Sequence, residues 1–203
     1  MFSGWPSNTA MQRPVPLIAN AMRTRNGRHR VARLEDLSTD EVRDALTYAG
    51  FVLVAFELVK TMIVKPIKFF YEKATFGEGM PFKSYEEDVL SRHRNEFEAS
   101  LLYLRDFMEA IDSEDLMTIQ ALRTHRNDLA HDLVGRLPSL GLQDYRPLLE
   151  NVDRTLFKLS NYRTRMEIGA DLEFQNLGID WGSVKGHEYL LFEEMVKKVR
   201  LLV

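Results

Sequence analysis

The sequence predicts an all-α fold, an antiparallel bundle of four or five helices joined by short loops. Apolar residues recur at steps of three and four along most of the chain, helix-start signatures stand directly before several of these stripes, and no stretch alternates apolar and polar residues between hairpin turns. No internal repeat at a fixed period occurs, so a solenoid is excluded. A length of 203 residues fits one domain with a continuous core, and a composition 45% apolar and 28% charged is that of a globular chain.

Residues 1–34 carry Gly4, Pro6, Pro14, Pro16 and Gly27 and no sustained periodicity, which predicts a basic, poorly ordered N-terminal arm preceding a helical domain at 35–203. Ser38-Thr39-Asp40-Glu41 is a capping box, with Leu37 and Val42 placed for a hydrophobic staple, and it predicts a first helix running to Lys65, where Pro66 ends or kinks it. That helix is apolar on more than one face, which suits a central helix or one shared with a second subunit. Glu57 and Lys60 near its middle argue against a membrane span, and no membrane association is expected.

Gly77-Glu78-Gly79-Met80-Pro81 reads as a loop, and Ser84 opens a second helix whose seam is Phe97, Leu101, Leu104, Met108 and Ile111. On that seam His93 reads as a core histidine. Ser113 caps a third stretch reaching Leu137 before Pro138, with an interruption expected near Thr124. Asp144 starts the next helix, with a seam of Leu148, Val152, Leu156, Leu159 and Met166 ending at Gly169. After a loop with Gly178, Gly182 and Gly186, a last helix carries Phe192, Met195, Val196, Val199 and Leu202.

With no cysteine, the chain has no disulfide framework, thiolate metal site or cysteine nucleophile, a composition suited to a reducing cytoplasm. P-loop, GxGxxG, GxSxG and HExxH patterns are absent, so neither a cofactor nor a metal is expected. The net charge of −3 leaves any affinity for nucleic acid to local clustering. Such clustering exists: Glu35 is the first acidic residue, and Arg13, Arg23, Arg25, Arg28, Arg30 and Arg33 precede it. Three readings remain open for this arm: a solvated tail, an RNA-contacting tail that uses Arg23, Arg25, Arg28, Arg30 and Arg33 on phosphates, and an organelle transit peptide.

The segment richest in chemistry is Arg123-Thr124-His125-Arg126-Asn127-Asp128-Leu129-Ala130-His131. Ile119, Leu122, Leu129 and Leu133 form an apolar stripe, and Arg126 occupies its missing position, where a guanidinium requires an acceptor or a wet interface. Arg126 and His131 are separated by about 140° around a helix and about 7.5 Å along it, so a long and a medium side chain can converge on one ligand at a groove edge. Asn127 and His131, four apart, are neighbours on one face.

In its Arg126, the polar Asn127 that follows and His131 five positions after the arginine, on a late helix of a small helical bundle, the segment resembles the HEPN superfamily. The resemblance covers this motif and the helical order over about residues 35–203. It implies a metal-independent endoribonuclease, acting as a toxin or antiviral effector, whose two protomers face their motifs into one composite cleft. It implies RNA as substrate, a homodimer, and an antitoxin or defence-system protein as partner. In that reading His131 transfers a proton at the ribose 2′-hydroxyl or the leaving oxygen, Arg126 stabilises charge on the phosphoryl group, and Asn127 orients His131 or holds phosphate. Arg123 and His125 are further candidates for contact with the RNA backbone. The alternative is a non-catalytic helical module of the same type that binds RNA, a nucleotide or a partner protein. A third possibility is an antitoxin or assembly subunit, and the plainest reading of the motif is an arginine that merely ties the bundle together beside a surface histidine.

Overall fold

Ser38 starts the longest helix of the molecule by the reciprocal bonding its sequence announces. Its hydroxyl accepts from Glu41 N at 3.2 Å, while the Glu41 carboxylate accepts from Ser38 N at 2.8 Å. In the computed structural model, which describes residues 34–140, 142–169, 172–175 and 177–201, this helix α1 spans Thr39–Lys73 and continues through Pro66 rather than ending before it. One lost backbone bond is offset by packing on both sides of the proline: Ile63 and Ile67 are buried, and Phe70 and Tyr71 join a cluster of rings with Phe76 and Phe82. The basic arm expected at 1–34, with its five candidate RNA-binding arginines, lies outside the described residues apart from Leu34, which opens a short 3₁₀ turn.

The helix expected from Ser84 is divided. Ser84 accepts from Glu87 N at 3.1 Å and opens only the single turn α2, Tyr85–Asp88. Asp88 then turns inward, its carboxylate accepting from Lys83 N at 2.7 Å and from the Tyr71 hydroxyl at 2.8 Å. The chain folds back through a 3₁₀ turn, and Asn95 caps a second start at α3, Glu96–Asp106. His93 is therefore exposed at this junction, its Nδ1 accepting from Asn95 N at 3.0 Å, and is not a core residue. Phe97, Leu101 and Leu104 form the buried stripe of α3. Met108 and Ile111 lie beyond the helix, on either side of Glu109, whose φ is 51°.

Asp112, rather than Ser113, caps α4, Ser113–His131, accepting from Glu114 N at 2.9 Å and Asp115 N at 3.0 Å. The helix runs unbroken through Thr124, whose hydroxyl bonds back to Gln120 O at 3.0 Å. It breaks at Asp132, which caps the one-turn α5, Leu133–Arg136, followed by a 3₁₀ turn holding Pro138. Helix α6, Leu142–Ile168, starts before Asp144 and accommodates Pro147 in its second turn. The short α7, Leu172–Gln175, and the terminal α8, His187–Leu201, complete the order.

The fold is all-α, with no strand among the described residues. Helix α1 is central, packing against α3, α4, α6 and α8. Its inward residues Val52, Ala55, Val59 and Ile63 are fully buried and meet Leu101 of α3, Leu122 and Leu129 of α4, Leu156 of α6 and Phe192 of α8 in one core. By length and composition α1 could cross a membrane, but more than half of its most apolar stretch is buried inside the bundle, as expected of a core helix.

Candidate functional site

Helix α4 carries the three motif residues Arg126, Asn127 and His131 and the two further candidates Arg123 and His125, and its packing sends them in different directions. Arg126 points toward α1. Its guanidinium lies 5.5 Å from the centre of the Phe56 ring, donates from Nη2 to Glu57 at 3.2 Å and from Nη1 to the side-chain oxygen of Asn127 at 3.2 Å. The side chain is half-buried, and its Nε is buried with no acceptor among the described residues. A charge on an apolar stripe is thus accommodated by an aromatic face beneath it and two oxygens at its edge.

Asn127 supports Arg126, not His131: its carbonyl oxygen is the acceptor of the arginine. His131 is the last residue of α4, exposed, and makes no hydrogen bond or ion pair with any described residue. Arg126 and His131 therefore share a helix, the first positioned by its neighbours and the second open to solvent.

The two further candidates are engaged within the bundle. Arg123 bonds to Glu98 of α3 and lies over the Phe97 ring at 5.9 Å, while Gln120 donates to the second oxygen of the same carboxylate at 3.1 Å. His125 is buried and shares a 3.0 Å hydrogen bond through Nε2 with the hydroxyl of the fully buried Tyr48. Burial pushes its pKa below the usual imidazole value; Asp128 opposes this shift and Arg136 adds to it. Arg136 in turn pairs with Asp128 at 3.1 Å, so each arginine of this region faces a carboxylate.

Two participants went unrecognised in the sequence. Glu57 stood out only as a charge inside an apolar helix; that it and Arg126, a charge on an apolar stripe, each required an opposite partner was the available signal for pairing them. Tyr48 gave no such signal, because a tyrosine in an apolar helix is an ordinary core residue. Among the described residues no cluster of three His, Asp or Glu side chains is spaced to hold a metal ion. No protein-family model matches the chain, and neither a curated protein nor a solved structure shows significant similarity to it.

Proposed function

We propose that the chain is a metal-independent endoribonuclease of the HEPN type, a toxin or antiviral defence effector that works as a homodimer on RNA. The observation that supports this reading best is the state of Arg126: a half-buried guanidinium fixed by Phe56 and Asn127 on the same helix as an unengaged, solvent-facing His131. A positioned cation placed near a phosphoryl group stabilises the charge that accumulates there during attack. An imidazole open to solvent and free of hydrogen bonds to the described residues is available to take up or release a proton at a bound substrate. With the ribose 2′-hydroxyl as nucleophile, its proton passes to the base, the P–O5′ bond breaks, and the leaving oxygen takes up a proton. The product ends are a 2′,3′-cyclic phosphate and a free 5′-hydroxyl.

The test is cleavage of labelled RNA by the purified protein. Activity that survives a chelator, fails on a substrate lacking the 2′-hydroxyl, and falls by about a hundredfold or more in His131→Ala and Arg126→Ala is the expected result. Wild-type protein that is pure, folded and inert on every RNA tested refutes the enzymatic reading.

A second reading, the non-catalytic module binding RNA, a nucleotide or a partner protein, draws on a specific observation. Arg123, Arg126 and Arg136 each already have a carboxylate partner, so this surface offers phosphate little unneutralised positive charge. Under that reading Arg126→Ala alters stability and partner binding, and no cleavage is found in any variant.

A further inference from the structure

Away from the α4 motif, a cleft of about 550 Å³ opens between the C-terminal half of α1, α3 and α6. Its walls are core residues, among them Ile63, Ile67, Leu104 and Leu159. The polar groups on the walls are already satisfied: the Tyr103 hydroxyl accepts from Tyr71 at 3.1 Å, and the Tyr162 hydroxyl donates to Met108 O at 3.1 Å. Water inside would find few partners, and a space of this size and character is what apolar ligands fill.

The cleft has direction. It follows α1 from Met62 to Lys73, about 16 Å of helix, a run suited to an extended chain more than to a compact ring. Two of its lining residues, Phe69 and Met166, are 61% and 59% exposed, so the cleft opens to solvent beside them. Of the charged groups lining it, Arg163 and Glu167 pair with each other at 2.7 Å, and Arg163 also meets Glu188 at 2.7 Å. Lys73 makes no ion pair among the described residues, and its ammonium lies 5.9 Å from the centre of the Phe69 ring.

An apolar channel ending in one unneutralised cation is complementary to a single aliphatic chain ending in one negative charge. We propose that this cleft binds a free long-chain carboxylate, its tail along α1 between α3 and α6 and its head on Lys73. The proposal does not depend on the ribonuclease reading, because no residue of the α4 motif takes part.

Calorimetric titration of the full chain with dodecanoate and with dodecanol tests it. Saturable one-to-one binding below the micellar range is expected for dodecanoate. Lys73→Ala should weaken dodecanoate by roughly fivefold and leave dodecanol unchanged, because only the charged head meets the lysine. Leu104→Trp, which fills the cleft, should abolish both, and Met166→Trp, which obstructs the exposed mouth without touching the core, provides the same test if the first variant fails to fold. Absence of saturable binding, or equal affinity of wild type and Met166→Trp for dodecanoate, overturns the proposal. So does a dimer, seen by light scattering, that persists in saturating dodecanoate and becomes monomeric in Met166→Trp, since a second copy would then be the occupant.

Discussion

Arg126 and Glu57 come from different helices, and each is a charge in a run of apolar residues. The 55% exposure of the Glu57 side chain keeps their pair well solvated, so its worth is on the order of 1 kcal/mol or less, with a similar amount from the stacking on Phe56. Arg126→Ala is therefore expected to lower stability by about 1 kcal/mol, a shift of a few degrees in melting temperature and not an unfolded protein. Glu57 also competes with phosphate for the same guanidinium. Glu57→Gln should raise RNA affinity severalfold at low salt, an effect that disappears in the Glu57→Gln, Arg126→Ala double variant; filter-binding or anisotropy titrations would read it, and an unchanged or weakened Glu57→Gln complex contradicts it. His125 makes a different prediction. Its folded pKa lies below its unfolded value because the imidazole is buried, so the unfolded chain takes up a proton first as pH falls. The stability it contributes is complete above about pH 6.5 and declines as pH drops from there toward the folded pKa. Melting temperatures at pH 7.5 and 5.5 should differ more for wild type than for His125→Gln, which retains a hydrogen-bonding partner for Tyr48 but cannot titrate; parallel profiles would rule this out.

At the level of elements, what was legible in the sequence was what local chemistry decides. The Ser38–Glu41 capping box, the α3 stripe and the Val152–Leu156–Leu159 seam follow directly from side-chain type and spacing. Tertiary packing decided the rest. Pro66 does not stop α1, because the aromatic cluster around Phe70 and Tyr71 holds the turns beyond it, and two of its rings, Phe76 and Phe82, come from the chain after the helix, outside the reach of any helical spacing rule. Ser84 begins one turn only, because Asp88 is drawn inward by Tyr71, seventeen residues upstream. For the candidate site, the sequence pointed to Arg126, Asn127 and His131 on one helix, but the pairing of Arg126 with Glu57 and the burial of His125 on Tyr48 required α1 to be placed against α4. The break that leaves His131 at a helix end also has a local cause. Asp132 accepts from Gly135 N at 3.2 Å, and a Cβ at Gly135 would lie 2.5 Å from the same carboxylate. Gly135→Ala is thus expected to displace the Asp132 cap and cost about 1 kcal/mol, with chemical shifts changing at His131 and its neighbours while those of α6 and α8 stay fixed. A variant as stable as wild type, with unchanged His131 signals, would show the cap to be dispensable.

For the molecule as a whole, α1 is where the proposed dimer makes its sharpest prediction. Most of its circumference is consumed by α3, α4, α6 and α8, yet Leu46, Gly50 and Val54, spaced four and four, form a line left open to solvent. Leu46 and Val54 are 47% and 53% exposed, and the space where a side chain would stand on Gly50 is empty. A glycine flanked by two aliphatic residues gives a helix face on which another helix can approach closely. Three residues beyond Val54 on the same helix is Glu57, the partner of Arg126. A second copy packed on this line would therefore bring its own Arg126 toward the first, which is the arrangement a composite ribonuclease cleft requires. Val54→Asp places a charge on the line without touching the core, and Gly50→Leu fills the approach. Both are expected to give monomers by light scattering at micromolar concentration, with wild-type helix content and with RNA cleavage lost although Arg126, Asn127 and His131 are intact. Mixing inactive His131→Ala protein with inactive Val54→Asp should then restore nothing, whereas mixing His131→Ala with Arg126→Ala should restore part of the activity if each cleft draws its arginine from one protomer and its histidine from the other. A wild-type protein that is monomeric and cleaves RNA at full rate would remove the dimer from the proposal and leave the α1 line without a role in catalysis.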